Sequence, residues 1–77
     1  MYCLKIRFKD GSGRLLTGLT WEDIKRIARN EIPYDSDRVT LVTVYGRNDP
    51  SANNLDHRDI WRDSWSDDRK KNELRGL

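Results

Sequence analysis

A small α+β fold follows from three observations on this 77-residue sequence. Apolar side chains alternate with polar ones from Tyr2 to Phe8, a capped amphipathic stretch begins at Thr20, and a β-branched run covers Val39 to Tyr45. Together they predict a small β-β-α-β sheet with one packed helix, followed by a charged C-terminal helix that bears tryptophan. The expected organisation is a compact core over residues 1–46, a loop over 47–55 and a helical segment over 56–77, all within one domain.

Tyr2, Leu4, Ile6 and Phe8 alternate with Cys3, Lys5, Arg7 and Lys9, the period of a strand with one buried and one wet face. Asp10-Gly11-Ser12-Gly13 supplies the positive φ angles of a tight reversal, so a hairpin into a short strand from Arg14 to Thr17 is expected. Leu19-Thr20-Trp21-Glu22-Asp23-Ile24 has the grammar of a helix start. Thr20 can accept from the Asp23 N–H, Asp23 replaces the usual Glu or Gln of a capping box, and Leu19 can pack on Ile24. The helix should run from Trp21 to about Glu31 with Ile24, Ile27 and Ala28 inward, and Pro33 stops it by disfavouring helical geometry at Ile32.

Val39-Thr40-Leu41-Val42-Thr43-Val44-Tyr45 reads as a strand, and apolar groups on both of its faces suggest a central one. Gly46 to Asn54 is turn chemistry throughout. Leu55-Asp56-His57-Arg58-Asp59-Ile60 repeats the grammar of residues 19–24, which predicts a second helix from His57 to about Glu73. Acids at its start and Arg69, Lys70, Lys71 and Arg75 at its end suit the helix dipole. Its apolar stripe of Ile60, Trp61 and Trp65 is short, so its last two turns are expected to project from the body.

A chain this short buries only about 60% of the surface its unfolded form exposes. A cleft of about 300 Å³ or more for a substrate would consume much of that interior, which argues against an enzyme; no catalytic residue or cofactor is implied. Fifteen Lys and Arg stand against thirteen Asp and Glu, for a net charge of +2. That balance lacks the strong basicity of a dedicated nucleic-acid binder. Residues 1–46 carry eight basic and six acidic groups, and the remainder seven of each, so any electrostatic recognition must come from local patches. The lone Cys3 excludes an internal disulfide and a Cys-based zinc site. No segment reads as a secretory signal or a membrane span, and the cytoplasm is the expected location.

Three constellations could carry function. On the first hairpin, Lys5, Arg7, Lys9 and Arg14 form a basic row that could track phosphates or an acidic protein surface; such a row also serves simply to keep a strand soluble. The stacking aromatics of an RNA-reading sheet would have to share that face, and Tyr2 and Phe8 lie on the other. Lys25, Arg26 and Arg29 add a second basic set on the first helix, diluted by Glu22 and Glu31. Trp61, Arg62 and Trp65 are of the residue types enriched at binding hot spots, and on a helix the i, i+4 spacing would set both indoles on one face. That face could dock a partner or fold back to complete the core. Asp56, His57, Asp59 and Asp63 have the composition of metal ligands, but helix capping explains Asp56 and Asp59, and no metal site is assigned. His57 lacks an orienting group that would make it a base for Cys3.

In size and layout the strand from Tyr2 to Phe8, the helix opened by Thr20 and Asp23, and the strand from Val39 to Tyr45 resemble the short inhibitors that bacterial viruses use against host machinery, anti-CRISPR proteins among them. The resemblance covers little more than half of the chain. It implies stoichiometric binding to a host protein or nucleoprotein complex, often by occupying a surface meant for nucleic acid or a partner subunit. The first expectation is therefore a non-catalytic protein-binding module acting through Trp61, Arg62 and Trp65 or through the basic hairpin face. The alternative is a nucleic-acid-binding accessory protein using the hairpin and helix cations as phosphate contacts. A homodimer that buries the tryptophans is compatible with either.

Overall fold

Alternation, capping and β-branching produce the elements expected of residues 2–45 in a computed structural model that describes residues 1–77. The order is β1 (Tyr2–Phe8), β2 (Gly13–Leu19), α1 (Trp21–Asn30), β3 (Val39–Tyr45), a 3-10 turn (Gly46–Asn48), β4 (His57–Arg62) and α2 (Asp67–Arg75). The strands form one sheet in the order β2-β1-β3-β4, and every neighbouring pair is antiparallel.

At the hairpin tip, the Asp10 carboxylate accepts from both the Ser12 N–H at 2.9 Å and the Ser12 hydroxyl at 2.5 Å. These donors hold the Asp10 carboxyl below the usual carboxylate range. Gly11 takes the positive φ of 88° that closes the turn. The α1 cap is reciprocal: the Thr20 hydroxyl accepts from the Asp23 N–H at 3.1 Å, and the Asp23 carboxylate accepts from the Thr20 N–H at 3.0 Å. Ile24, Ile27 and Ala28 are the buried residues of α1, and Trp21 packs its ring 5.2 Å from that of Tyr2.

Past the 3-10 turn the structure corrects the sequence reading. Residues 57–62 are a strand and not the start of a helix. The helix begins ten residues later than expected, behind Ser66, whose hydroxyl accepts from the Arg69 N–H at 3.3 Å. Two physical facts explain the difference. β3 has β1 on one side, and its second row of backbone groups would be unpaired without another strand beside it. β4 supplies that partner through a bulge between the pairs Val42–Trp61 and Thr43–Asp59, with Ile60 as the extra residue. A bulge interrupts strict alternation, so Ile60 and Trp61 both enter the core. Adjacent apolar residues with Trp65 four positions on imitate a helical stripe.

Both helices cover the same face of the sheet. The core there joins Leu4 of β1, Val42 and Val44 of β3, Ile60 and Trp61 of β4, Ile24, Ile27 and Ala28 of α1, and Leu74 of α2. α2 does not project as expected. Leu74 is buried, Leu77 packs against the core, and Arg29 of α1 donates to the Leu77 carbonyl at 3.2 Å.

Candidate binding surface

With one sheet face covered by helices, the other is left open, and the strand registers state which residues share it. Residues paired across an antiparallel ladder project to the same side. Three rows therefore cross the open face from β2 or β1 towards β4. The first is Gly13, Arg7, Leu41 and Arg62; the second is Leu15, Lys5, Thr43 and Asp59; the third is Cys3, Tyr45 and His57.

The electrostatics of these rows are uneven. Lys5 and Arg7 have no carboxylate within salt-bridge distance, whereas Arg62 donates its Nε to Asp59 Oδ2 at 2.7 Å and forms an ion pair with the same carboxylate. Asp59 also accepts from the Thr43 hydroxyl at 2.9 Å, which explains how Thr43 can be buried at the centre of an open face. Three cations thus share the face with one carboxylate that is already engaged. Beside them the Tyr45 and His57 rings lie with centroids 6.0 Å apart and planes inclined by 30°. His57 Nδ1 is 2.8 Å from the Asn54 carbonyl.

Cys3 closes one end of the face. Its thiol donates to Asn48 Oδ1 at 3.2 Å, and the same oxygen accepts from the Gly18 N–H at 2.7 Å. Burial, reinforced by the nearby Asp49 carboxylate, raises the Cys3 pKa. A protonated, buried thiol is a poor nucleophile. His57 stands two strands away in the same row, roughly 10 Å at the usual strand spacing, so the two do not form a nucleophile and base pair.

The remaining candidates fall elsewhere. Trp61 is wholly buried, with an exposure of 0%; its indole N–H donates to the Tyr34 carbonyl at 2.9 Å, and the Lys70 ammonium sits 4.8 Å from its ring. It cannot present its indole to a partner in this fold. Trp65 lies in the turn before α2, half-buried, with the Arg69 guanidinium stacked 3.9 Å over it. The two indoles therefore share no helix face. Arg62, between them in sequence, belongs to the open sheet face.

Among the basic residues, the structure separates used from unused charge. On α1, Lys25 pairs with Glu22 at 3.0 Å, Arg26 pairs with Asp23 at 3.6 Å and Glu31 at 3.0 Å, and Arg29 holds the C-terminal residue. Lys9 reaches Asp63 at 3.7 Å. Arg14 pairs with Ile6 in the ladder, which sets it on the helix side of the sheet at the edge. The acids once grouped as metal-like disperse: Asp63 goes to Lys9, Asp59 to the open face, and the Asp56 carboxylate packs against Gly46, where a Cβ would collide with it.

Sequence reasoning missed Tyr45, His57, Leu15 and Leu41 as members of this surface. For Tyr45 and Leu41 a signal existed, because they share parity with Thr43 in β3. His57 was hidden by the helical reading of its segment.

Compared with family models, curated proteins and solved structures, the chain matches none. Neither helix is long and apolar enough to cross a membrane.

Proposed function

We propose that this protein is a non-catalytic binding module that docks through the open face of its sheet onto an acidic surface of a protein or nucleoprotein complex. Lys5 and Arg7 make the charged contacts, Arg62 lies beside them paired with Asp59, and Leu41 and Tyr45 supply apolar area between them. The observation that carries this reading is the state of the cations. Lys5 and Arg7 are unpaired on the one face that no helix covers, whereas Lys25 and Arg26 of α1 are paired with acids of their own helix or its C-cap. Recognition by pre-placed, unpaired charge speeds encounter and selects partners of opposite sign. By the resemblance in size and layout to small phage inhibitors, the module acts in the cytoplasm by stoichiometric occupancy.

A second reading has its own support. Tyr45 and His57 share the face with the cations, an arrangement on which unpaired bases could stack while Lys5 and Arg7 hold phosphates. Capture from a bacterial lysate, with and without nuclease treatment, separates the two. A complex retained after nuclease treatment and lost with Lys5→Glu plus Arg7→Glu, but kept with Lys25→Glu plus Arg26→Glu, supports the protein-binding reading. Loss on nuclease treatment, with affinity falling steeply as salt rises, transfers the proposal to single-stranded nucleic acid. Equal sensitivity to the helix and strand charge reversals refutes the open face as the site.

A further inference from the structure

The two edges of the sheet are built differently, and one of them is left competent to pair. β4, at one edge, is bulged at Ile60 and carries His57, Arg58, Asp59 and Arg62, devices that blunt an edge against further strands. β2, at the other edge, has Arg14 as the only charge from Gly13 to Leu19 and no proline. Leu15, the middle of its Gly13–Thr17 stretch, is 47% exposed and is the one strongly exposed large apolar residue within a regular element.

Ladder geometry states which backbone groups face out. The Phe8 N–H donates to the Ser12 carbonyl at 2.9 Å. Hydrogen-bonded and non-hydrogen-bonded pairs alternate along an antiparallel ladder, so Ile6–Arg14 and Leu4–Leu16 are the bonded pairs with β1. Gly13, Leu15 and Thr17 then turn their N–H and C=O groups to the free edge. The free stretch is bounded on both sides. The hairpin turn precedes Gly13, and Gly18 breaks the line with its φ of 68° while its N–H is held by Asn48.

We infer that β2 pairs antiparallel with β2 of a second copy of this chain, about a two-fold axis passing between the two Leu15 residues. A five-residue edge centred on Leu15 is self-complementary in this arrangement. Gly13 faces Thr17 of the second copy, Leu15 faces Leu15, and about six main-chain hydrogen bonds form. The intervening pairs set Arg14 against Leu16 of the second copy, so the sole charge of the strand does not meet its own symmetry mate. The two Leu15 side chains cover one another on the open face. The product is an eight-stranded sheet whose two open faces run together, with the two β1 strands three strand spacings apart, roughly 14 Å. This inference stands apart from the proposed function, since it concerns the purified chain without any ligand.

Sedimentation velocity over a wide concentration range tests it, with circular dichroism to verify that each variant is folded. The wild-type chain of 9.1 kDa is expected to move towards twice that mass as concentration rises. Leu15→Lys places like charges directly opposite across the axis and is expected to weaken association by about tenfold or more. Mixing it with Leu15→Glu should restore the dimer, because residue 15 then meets an opposite charge in the second copy. Wild-type protein that stays monomeric throughout overturns the inference, including the case in which the edge accepts a strand of another protein instead. A Leu15→Lys variant that dimerises as tightly as wild type, or a mixture that stays monomeric, overturns it equally.

Discussion

Truncating Trp61 to alanine separates a core indole from a docking indole. The side chain is fully buried among Val42, Ile60 and the other residues of the core, so Trp61→Ala removes a large apolar volume that neighbours can refill only in part. Substitutions of this kind cost about 3 to 5 kcal/mol. The Tyr34 carbonyl also loses its N–H donor, and the Lys70 ammonium loses the ring it sits over. A 77-residue domain at about 0.05 to 0.15 kcal/mol per residue has roughly 4 to 12 kcal/mol in total, so this one change threatens the native state. At about 4 to 8 °C per kcal/mol for a domain of this size, the melting temperature should fall by roughly 12 to 40 °C. Urea unfolding followed by far-ultraviolet circular dichroism is the suitable assay, because the variant loses a fluorophore. Trp65→Ala is the control: a half-buried indole stacked under Arg69 should cost about 1 kcal/mol. If Trp61→Ala stays within about 1 kcal/mol of wild type at unchanged urea dependence, the indole is not holding the core together and the assignment of β4 fails with it.

Other consequences are as direct. Thr20→Ala removes the α1 cap and should cost about 1 kcal/mol in the same assay. The Asp23 carboxyl is held below its ordinary range, first by the Thr20 N–H and then by the Thr20 hydroxyl and Arg26. A carboxyl with a depressed folded-state pKa contributes stability that is present above its unfolded value and lost as pH falls through the folded one. The gap in stability between wild type and Asp23→Asn should therefore be full at pH 7 and close in acid below about pH 4, as read by unfolding at several pH values. Cys3, buried and with a raised pKa, should react slowly with a disulfide reagent at neutral pH, and its rate should rise with urea along the unfolding curve. A fast reaction in the native state would contradict the Asn48 cover over the thiol.

The legible part of this fold was the part whose signals are local. β1 announces itself by period two, α1 by Thr20 and Asp23 with Ile24, Ile27 and Ala28 behind them, and β3 by its β-branched run. β4 was not legible, because its evidence lies in a partner 16 residues away, as the Thr43–Asp59 hydrogen bond shows. Its bulge also removed the alternation by which a strand is recognised. The loop before it is ordered by side chains whose partners could not be guessed. Asn54 donates to the carbonyls of Gly46 and Asp49 at 3.0 and 2.8 Å, and Asn48 bridges Cys3 and Gly18. The candidate site was half legible for the same reason. Lys5 and Arg7 could be placed on one strand face by parity alone. The company they keep depends on the β1–β3–β4 registers.

One local irregularity accounts for both changes to the candidate residues. The extra residue at Ile60 allows Ile60 and Trp61 to enter the core together, and β4 then resumes alternation so that Arg62 returns to the open face opposite Leu41. Trp61 and Arg62 are neighbours in sequence, and a helical reading groups both with Trp65 at one docking site. In the sheet they project to opposite sides: the indole closes the core, and the guanidinium joins Lys5 and Arg7 on the face that the helices leave uncovered. The same geometry explains why counting cations could not locate a binding surface. Lys25 and Arg26 on α1 each have an acid three residues before them, Glu22 and Asp23, within salt-bridge reach, whereas Arg29 has Arg26 at that position and reaches the Leu77 carbonyl instead. A cation on β1 has as neighbours whatever the register supplies, and here it supplies Leu15, Leu41 and Thr43. Lys5 and Arg7 of β1 are therefore left without carboxylate partners, whereas Lys25 and Arg26 of α1 and Arg58 and Arg62 of β4 are paired.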